Sequence, residues 1–360
     1  MKIGILGSRG IPNRYGGFEQ FAEYLSAGLA ERGHQVWVYS PHQHPYHEAK
    51  LGRVNIIHCY DPEIWLGTAG QFIYDLNCIR DSRHRDFDAL LFLGYTSSSA
   101  WRRFYPEKPL IITNMDGLEW KRAKYGQAVK RFLKLAEKWA VNSSDVVVAD
   151  SSAIAKYLQE KYSRQVVTIP YSATVFEDPD PQMLELLNLR PYHYDMLIAR
   201  LEPENHIEMI LQGYLKANIS HPFLVIGGTD RKYGKFLRKR FSESRIRFVG
   251  GIYDQQLLNN LRYYSRLYFH GHSVGGTNPS LLEAMASSAS IVAHDNPFNR
   301  AVLGNDAQYF QTPNEVAQLI LKKDDRIFKK YIKNNLVKIQ NEYSLEKIIN
   351  GYNLIMSDEL

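Results

Sequence analysis

The chain of 360 residues is poor in cysteine: Cys59 and Cys78 are the only two. That excludes a disulfide framework and suits a reducing, cytoplasmic setting. It has no apolar run near the ~20 residues of a membrane span, so a membrane-crossing helix is not expected. It has no internal repeat and no low-complexity tract. The Gly-x-Gly-x-x-Gly fingerprint is also missing. Gly7-x-x-Gly10 stands after the first strand pattern, and the second such pattern ends in Tyr39-Ser40 where an acid would hold an NAD ribose. NAD binding is therefore disfavoured. Met1–Gly7 already reads as a strand, so no signal peptide is expected. What is in excess is positive charge. A formal net charge of +6 and a pI near 9.0 suit an anionic partner: a nucleotide, a phospholipid or a nucleic acid. The aromatic residues Tyr263, Tyr264 and Tyr268 surround a core strand pattern and read as packing residues, so no nucleic-acid stacking surface is expected.

Continuous apolar runs alternate with helical patterns in two halves of one style. The first half has strand runs at 2–7, 35–40, 54–60, 89–95, 110–115, 146–150 and 166–171. The second has them at 196–201, 223–228, 246–251, 267–272 and 290–294. Strands apolar on both faces and separated by helices predict parallel sheets covered on both sides. The expected fold class is therefore α/β, with two doubly wound, Rossmann-like domains. Pro170, Pro179 and Pro181 put the boundary near 170–180, giving domains at 1–172 and 173–344. Helix 345–360 is expected to pack back on the first domain. Asp178-Pro179-Asp180 has the look of a metal-binding Asp-x-Asp, but its flanking prolines make it a solvated connection.

Residues 275–283, Gly-Gly-Thr-Asn-Pro-Ser-Leu-Leu-Glu, are the most informative stretch. A glycine loop, Gly275, Gly276, Thr277 and Asn278, runs into a helix predicted over 280–287 with Pro279 in its first turn. Free backbone N–H groups and the positive end of the helix dipole make such a junction an anion site. Glu283, one turn in, would oppose phosphate unless it binds something else. A ribose diol beside a diphosphate fits, and a packing glutamate is the competing reading. Gly16 and Gly17 would let a backbone approach a sugar or phosphate. His272 precedes the glycine loop and is a candidate donor-sugar contact. His270, with no further ligands near in sequence, reads as structural, and no metal site is expected.

Four blocks carry a resemblance. Residues 7–19 (Gly-Ser-Arg-Gly-Ile-Pro-Asn-Arg-Tyr-Gly-Gly-Phe-Glu), 114–122, 199–205 (Ala-Arg-Leu-Glu-Pro-Glu-Asn) and 275–283 together resemble family-4 glycosyltransferases of GT-B fold. Within these, the blocks resemble one subgroup, the bacterial rhamnosyltransferases of capsular and cell-wall polysaccharide assembly. The resemblance implies donor binding by the second domain, acceptor binding by the first, and reaction in the interdomain cleft. It also implies retention of configuration and neither metal nor cofactor. The donor implied is a nucleotide sugar, dTDP-L-rhamnose, and the acceptor a lipid-linked or polysaccharide sugar at the inner face of a membrane. Glu283 matches the second glutamate of the family's Glu-x7-Glu, but the first is replaced by Gly275. Arg200 matches the diphosphate arginine, while Asn205 stands where a lysine is usual, and Lys232 is a candidate substitute. Ile252 and Tyr253 lie in the stretch matched to base recognition. Arg200 and Glu283 are thus the donor-side catalytic candidates. Asp116, after the strand run 110–115, is either an acceptor-side catalytic group or a helix cap. Arg9, Arg14 and Glu19 are further acceptor-side candidates. A nucleotide-sugar epimerase and a non-catalytic nucleotide-sugar-binding protein are the alternative readings. Val129, Phe132, Leu133, Ala136 and Ala140 define one face of a helix, with Lys121, Arg122 and Lys124 just before it. Lys130, Arg131, Lys134 and Lys138 fall on the other, which reads as a solvated face or a contact to anionic lipid.

Overall fold

A computed structural model describes all residues except Tyr15, Ala123 and 358–360. The chain divides into two compact units. One comprises Met1–Trp120, Tyr125–Tyr171 and Leu345–Leu360, and the other comprises Lys121–Lys124 and Ser172–Ser344.

The first unit holds an eight-stranded sheet: β1 (Lys2–Leu6), β2 (Gln35–Pro41), β3 (Lys50–Leu51), β4 (Val54–Cys59), β5 (Ala89–Leu93), β6 (Leu110–Asn114), β7 (Val146–Ala149) and β8 (Val167–Thr168). Their order across the sheet is β3-β4-β2-β1-β5-β6-β7-β8. All pairs are parallel except β3 with β4. Ile3, Ile5, Val36, Val38, Leu90 and Leu91 are fully buried, which is why these strands read as unbroken apolar runs. β3 is two residues long and its pattern was too short to be legible.

The last helix, Leu345–Met356, packs in this same unit. Ile349 fills the space above Gly28, where even a Cβ would come within 2.1 Å of it. Tyr352 is fully buried, receives a hydrogen bond from Asn114 at 2.9 Å and lies against Phe21. Glycine at 28 is therefore a packing requirement of the helix Gly17–Glu31.

The second unit holds a six-stranded parallel sheet: β9 (Asp195–Ile198), β10 (Phe223–Ile226), β11 (Ile246–Gly250), β12 (Leu267–His270), β13 (Ile291–His294) and β14 (Gln308–Phe310). Their order is β11-β10-β9-β12-β13-β14. A core of Leu197, Ile210, Leu211, Tyr214, Phe223, Leu267, Phe269 and Phe310 forms on one face. Buried Asp195 is held by Arg266, whose Nη2 and Nε donate to its two carboxylate oxygens at 2.6 and 2.9 Å.

In each sheet the strand order reverses beside the first strand of the unit. The switch points lie between β1 and β5 and between β9 and β12. Ligands of open α/β sheets bind outside the carboxyl ends of the strands at such points.

Candidate functional site

In the second unit the switch point is bounded by the loops that leave β9 at Ala199 and β12 at Gly271. The two loops are laced together. Gly271 must be glycine, because a Cβ there would lie 2.0 Å from the carbonyl oxygen of Asn205. Its own carbonyl meets Nδ1 of His206 at 2.9 Å. Ser273 donates to the carbonyl of Glu204 twice, from its amide at 3.2 Å and its hydroxyl at 2.8 Å. Asn205 is buried and donates from Nδ2 to the carbonyl of Arg200 at 2.7 Å, so its amide closes the β9 turn. The Arg200 side chain is exposed.

The glycine loop then runs into helix Pro279–Ala286, one residue earlier than the sequence pattern predicts. Asn278 is the N-cap, its side chain accepting from the amide of Ser280 at 2.9 Å. Gly275 has φ of 136° with open space where a side chain would stand, and Gly276 follows it. Thr277 is buried. Glu283 departs from a simple ribose-facing carboxylate. Its Oε2 accepts a short hydrogen bond from Nη2 of Arg262. Arg262 is 1% exposed and also reaches Asn259 Oδ1 at 3.1 Å. One carboxylate oxygen is thus committed to a buried cation, which orients the other and offsets much of its charge beside an anion site.

His270, His272 and His294 are held neutral. Burial, with Arg200 and Arg122 nearby, pushes His272 down to about 3. Burial, with His206, takes His294 to about 4. Burial also carries His270 well below its ordinary value, with His272 and Arg262 adding to the effect. His270 and His272 stack at 4.5 Å, and His206 and His294 at 3.8 Å. Glu202 and Glu204 stand two positions apart in the β9 loop. Burial and the Glu202 carboxylate raise Glu204. Burial opposes ionisation of Glu202, but the cations Lys124, Arg200 and Arg122 hold it low. Arg231 also meets Glu202 at 3.2 Å. Arg200, Arg122, Lys124 and Arg231 thus contribute positive charge here, alongside the helix N-terminus. Among the described residues, no group of three or more His, Cys, Asp or Glu side chains is placed to hold a metal ion.

Lys232 begins helix Lys232–Arg240 and is exposed. Ile252 is half-buried, and Tyr253 beyond β11 is 89% exposed. Asp180 is not a bare solvated link: its carboxylate accepts from the amide of Gln182 at 2.9 Å and caps a short helix.

The remaining candidates lie in the first unit. Gly16 and Gly17 begin helix Gly17–Glu31 in extended and helical backbone, respectively. Glu19 is buried, and its carboxylate accepts from the amide of Arg9 at 2.8 Å, which holds the β1 loop. The Arg9 guanidinium pairs with Glu63 at 2.5 Å. Arg14 is exposed. Asp116, with φ of 50°, accepts from the Tyr171 hydroxyl at 3.0 Å. Beside the switch point, buried Asp75 accepts from Ser97 Oγ at 2.5 Å, and burial pushes its carboxyl up to about 7.

Sequence reasoning missed Arg262, the Glu202–Glu204 pair and the His206–His294 stack. Arg262 had a signal: with Leu257, Leu258 and Leu261 it lies on the apolar face of its helix, so it needed a buried partner. The acid pair stood in plain view two positions apart in the 199–205 block, its burial being what no local pattern gave. The imidazole stack had no signal, because His206 and His294 meet only through strand order.

Residues 1–174 match a family described as a domain of unknown function (DUF1972). The alpha-1,3/1,6-mannosyltransferase ALG2 of Candida glabrata is 24% identical over 238 residues, covering 60% of this chain and 52% of that protein. The chain thus spans about half the length of this curated relative. Sucrose-phosphate synthase of Thermosynechococcus elongatus superposes with a TM-score of 0.84 at 17% identity, over 99% of this chain and 98% of that one. HepE of Anabaena, solved in complex with UDP and glucose, gives 0.74 at 13% identity over 99% of both chains. Two Rossmann-like units with parallel sheets, superposing on these enzymes along nearly the whole chain, give this protein the GT-B fold.

Proposed function

We propose that the chain is a retaining, metal-independent glycosyltransferase. The donor is dTDP-L-rhamnose and the acceptor is a sugar on a lipid or polysaccharide carrier. The observation that carries the reading is the junction of the glycine loop with helix Pro279–Ala286 at the second switch point, with Glu283 anchored by buried Arg262. A diphosphate is met by backbone N–H groups and by Arg200, and a ribose diol by the remaining Glu283 oxygen. The sugar's C1–O bond to the diphosphate breaks and a C1–O bond to the acceptor forms on the same face. The departing diphosphate gains charge, which Arg200 and the helix terminus stabilise. Asp116 is assigned the acceptor hydroxyl and its proton. The printed names of the mannosyltransferase relative and of the UDP- and glucose-bound HepE support a nucleotide-sugar donor.

Rhamnose follows from the resemblance of residues 275–283, and from chemistry that points the same way. Gly275 removes a carboxylate and leaves open space, and a 6-deoxy sugar has one hydroxyl fewer to satisfy. A donor panel of dTDP-rhamnose, UDP-glucose, UDP-N-acetylglucosamine and GDP-mannose, with lipid-linked sugar acceptor and excess EDTA, tests the reading. Transfer from dTDP-rhamnose is expected. Preference for another sugar overturns the donor, rescue only by added divalent metal overturns metal independence, and isomerisation or binding without transfer overturns the transferase.

A further inference from the structure

Helix Glu63–Leu66, one turn long, sits between β4 and helix Gly70–Ser82. Its apolar side chains point away from the core: Ile64 is 71% exposed, Trp65 82% and Leu66 51%. Three consecutive large hydrophobic side chains in water are costly, yet the turn that carries them is firmly built. Buried Asp61 accepts from the amide of Glu63 at 2.8 Å. Glu63 is tied to Arg9 of the β1 loop. Gly70 permits a close backbone crossing, since a Cβ there would lie 2.6 Å from the Cα of Glu63.

The surroundings are cationic. Phe72 of the following helix meets Phe132 at 5.7 Å, which sets helix Gln127–Ser143 alongside. That helix exposes Arg131, Lys134 and Lys138, with Lys130 half-exposed, and also Val129 and Leu135. Val129, expected on its packed face, is 42% exposed. Arg80 is exposed over the ring of Phe104. The carboxylates of these three helices are neutralised or buried: Glu63 by Arg9, Asp81 by Arg85, Glu137 by Lys161, and Asp75 against Ser97. The cations are left to dominate the face. A second copy of the chain would present the same positive surface to itself, and like charges disfavour such a self-complementary contact. Interfaces between proteins are depleted in lysine, whereas a tryptophan flanked by aliphatic side chains with lysine and arginine beside it suits the headgroup boundary of a bilayer.

We propose that Ile64, Trp65 and Leu66 insert into an anionic lipid surface while Arg80, Lys130, Arg131 and Lys138 engage its headgroups. The proposal deepens the lipid-linked acceptor reading above, and its test uses no transfer step. The full chain is sedimented at low salt with vesicles of phosphatidylcholine alone or mixed with phosphatidylglycerol. Wild type is expected to partition onto the anionic vesicles and to be released by salt. The I64S/W65S/L66S variant should lose roughly a hundredfold in partitioning. Tryptophan emission should shift to the blue on anionic vesicles in wild type and not in Trp65→Phe. The calorimetric unfolding transition of the first unit should match wild type, which shows the variant folded. Nucleotide-diphosphate binding to the second unit, read by titration calorimetry and expected unchanged, scores the donor reading separately. Equal sedimentation of variant and wild type overturns the proposal, as does absence of wild-type partitioning. A dimer split by the variant, without vesicle binding, overturns it in favour of self-association.

Discussion

At the scale of the residue, Glu283 and Asp75 show two ways in which burial sets the work of a carboxylate. Glu283 is held by Arg262, so truncation removes both the ligand contact and the partner of a buried cation. Glu283→Ala is expected to weaken nucleotide-diphosphate binding roughly a hundredfold, at ~1.5–3 kcal/mol for each charge-assisted bond lost. Calorimetry on the folded variant checks this, and unchanged affinity would remove Glu283 from the donor site. Asp75 binds a proton more tightly in the fold than in the unfolded chain, since its carboxyl is raised from 3.8 to about 7. The folded state therefore holds the extra proton between those values. The stability Asp75 contributes is present at pH 4 and below and is lost as pH rises through 7. Asp75→Asn keeps an acceptor for Ser97 and cannot ionise. It should melt increasingly above wild type between about pH 4 and 7 and by a constant margin above that, up to roughly 4 kcal/mol in stability. Parallel melting curves across that range would refute the assignment. Glu283 was legible in the sequence because a helix start after glycines announces it. Arg262 lies 21 positions from its partner, and only the apolar face of its helix hinted at the pair.

At the scale of the element, the buried parallel strands were the most legible part of the fold. A strand covered on both faces reads as an unbroken apolar run whatever its neighbours are. β14 was not legible, because three residues with only Phe310 fully buried carry no pattern. Loops such as 199–206 were legible as motifs but not as geometry. Their hydrogen bonds to 271–273 depend on β9 and β12 being neighbours, which no local pattern encodes. Helix Leu345–Met356 was expected in the first unit, and its packing predicts a large effect. Ile348, Ile349, Tyr352, Ile355 and Met356 are all buried, each contributing about 1.5–3 kcal/mol. Their sum is comparable to the ~5–15 kcal/mol stability of a whole domain. A chain ending at Ser344 should lose the calorimetric transition of the first unit while keeping that of the second. Two intact transitions would mean that the helix is dispensable.

At the scale of the molecule, Leu345–Met356 completes a unit begun at Met1, while residues 172–344 of the other unit lie between. Order of synthesis and order of folding therefore diverge. Residues 172–344 have emerged before the first-made unit has its closing helix. At ~5–20 residues per second, that unit waits on the order of ten seconds or more after its last strand has been made. Throughout that interval the groove above Gly28, which Ile349 later fills, stands open with Phe21 beside it, an apolar surface that a nascent chain offers to chaperones. A half-made copy of this protein thus keeps that surface uncovered until residues 345–356 have been made.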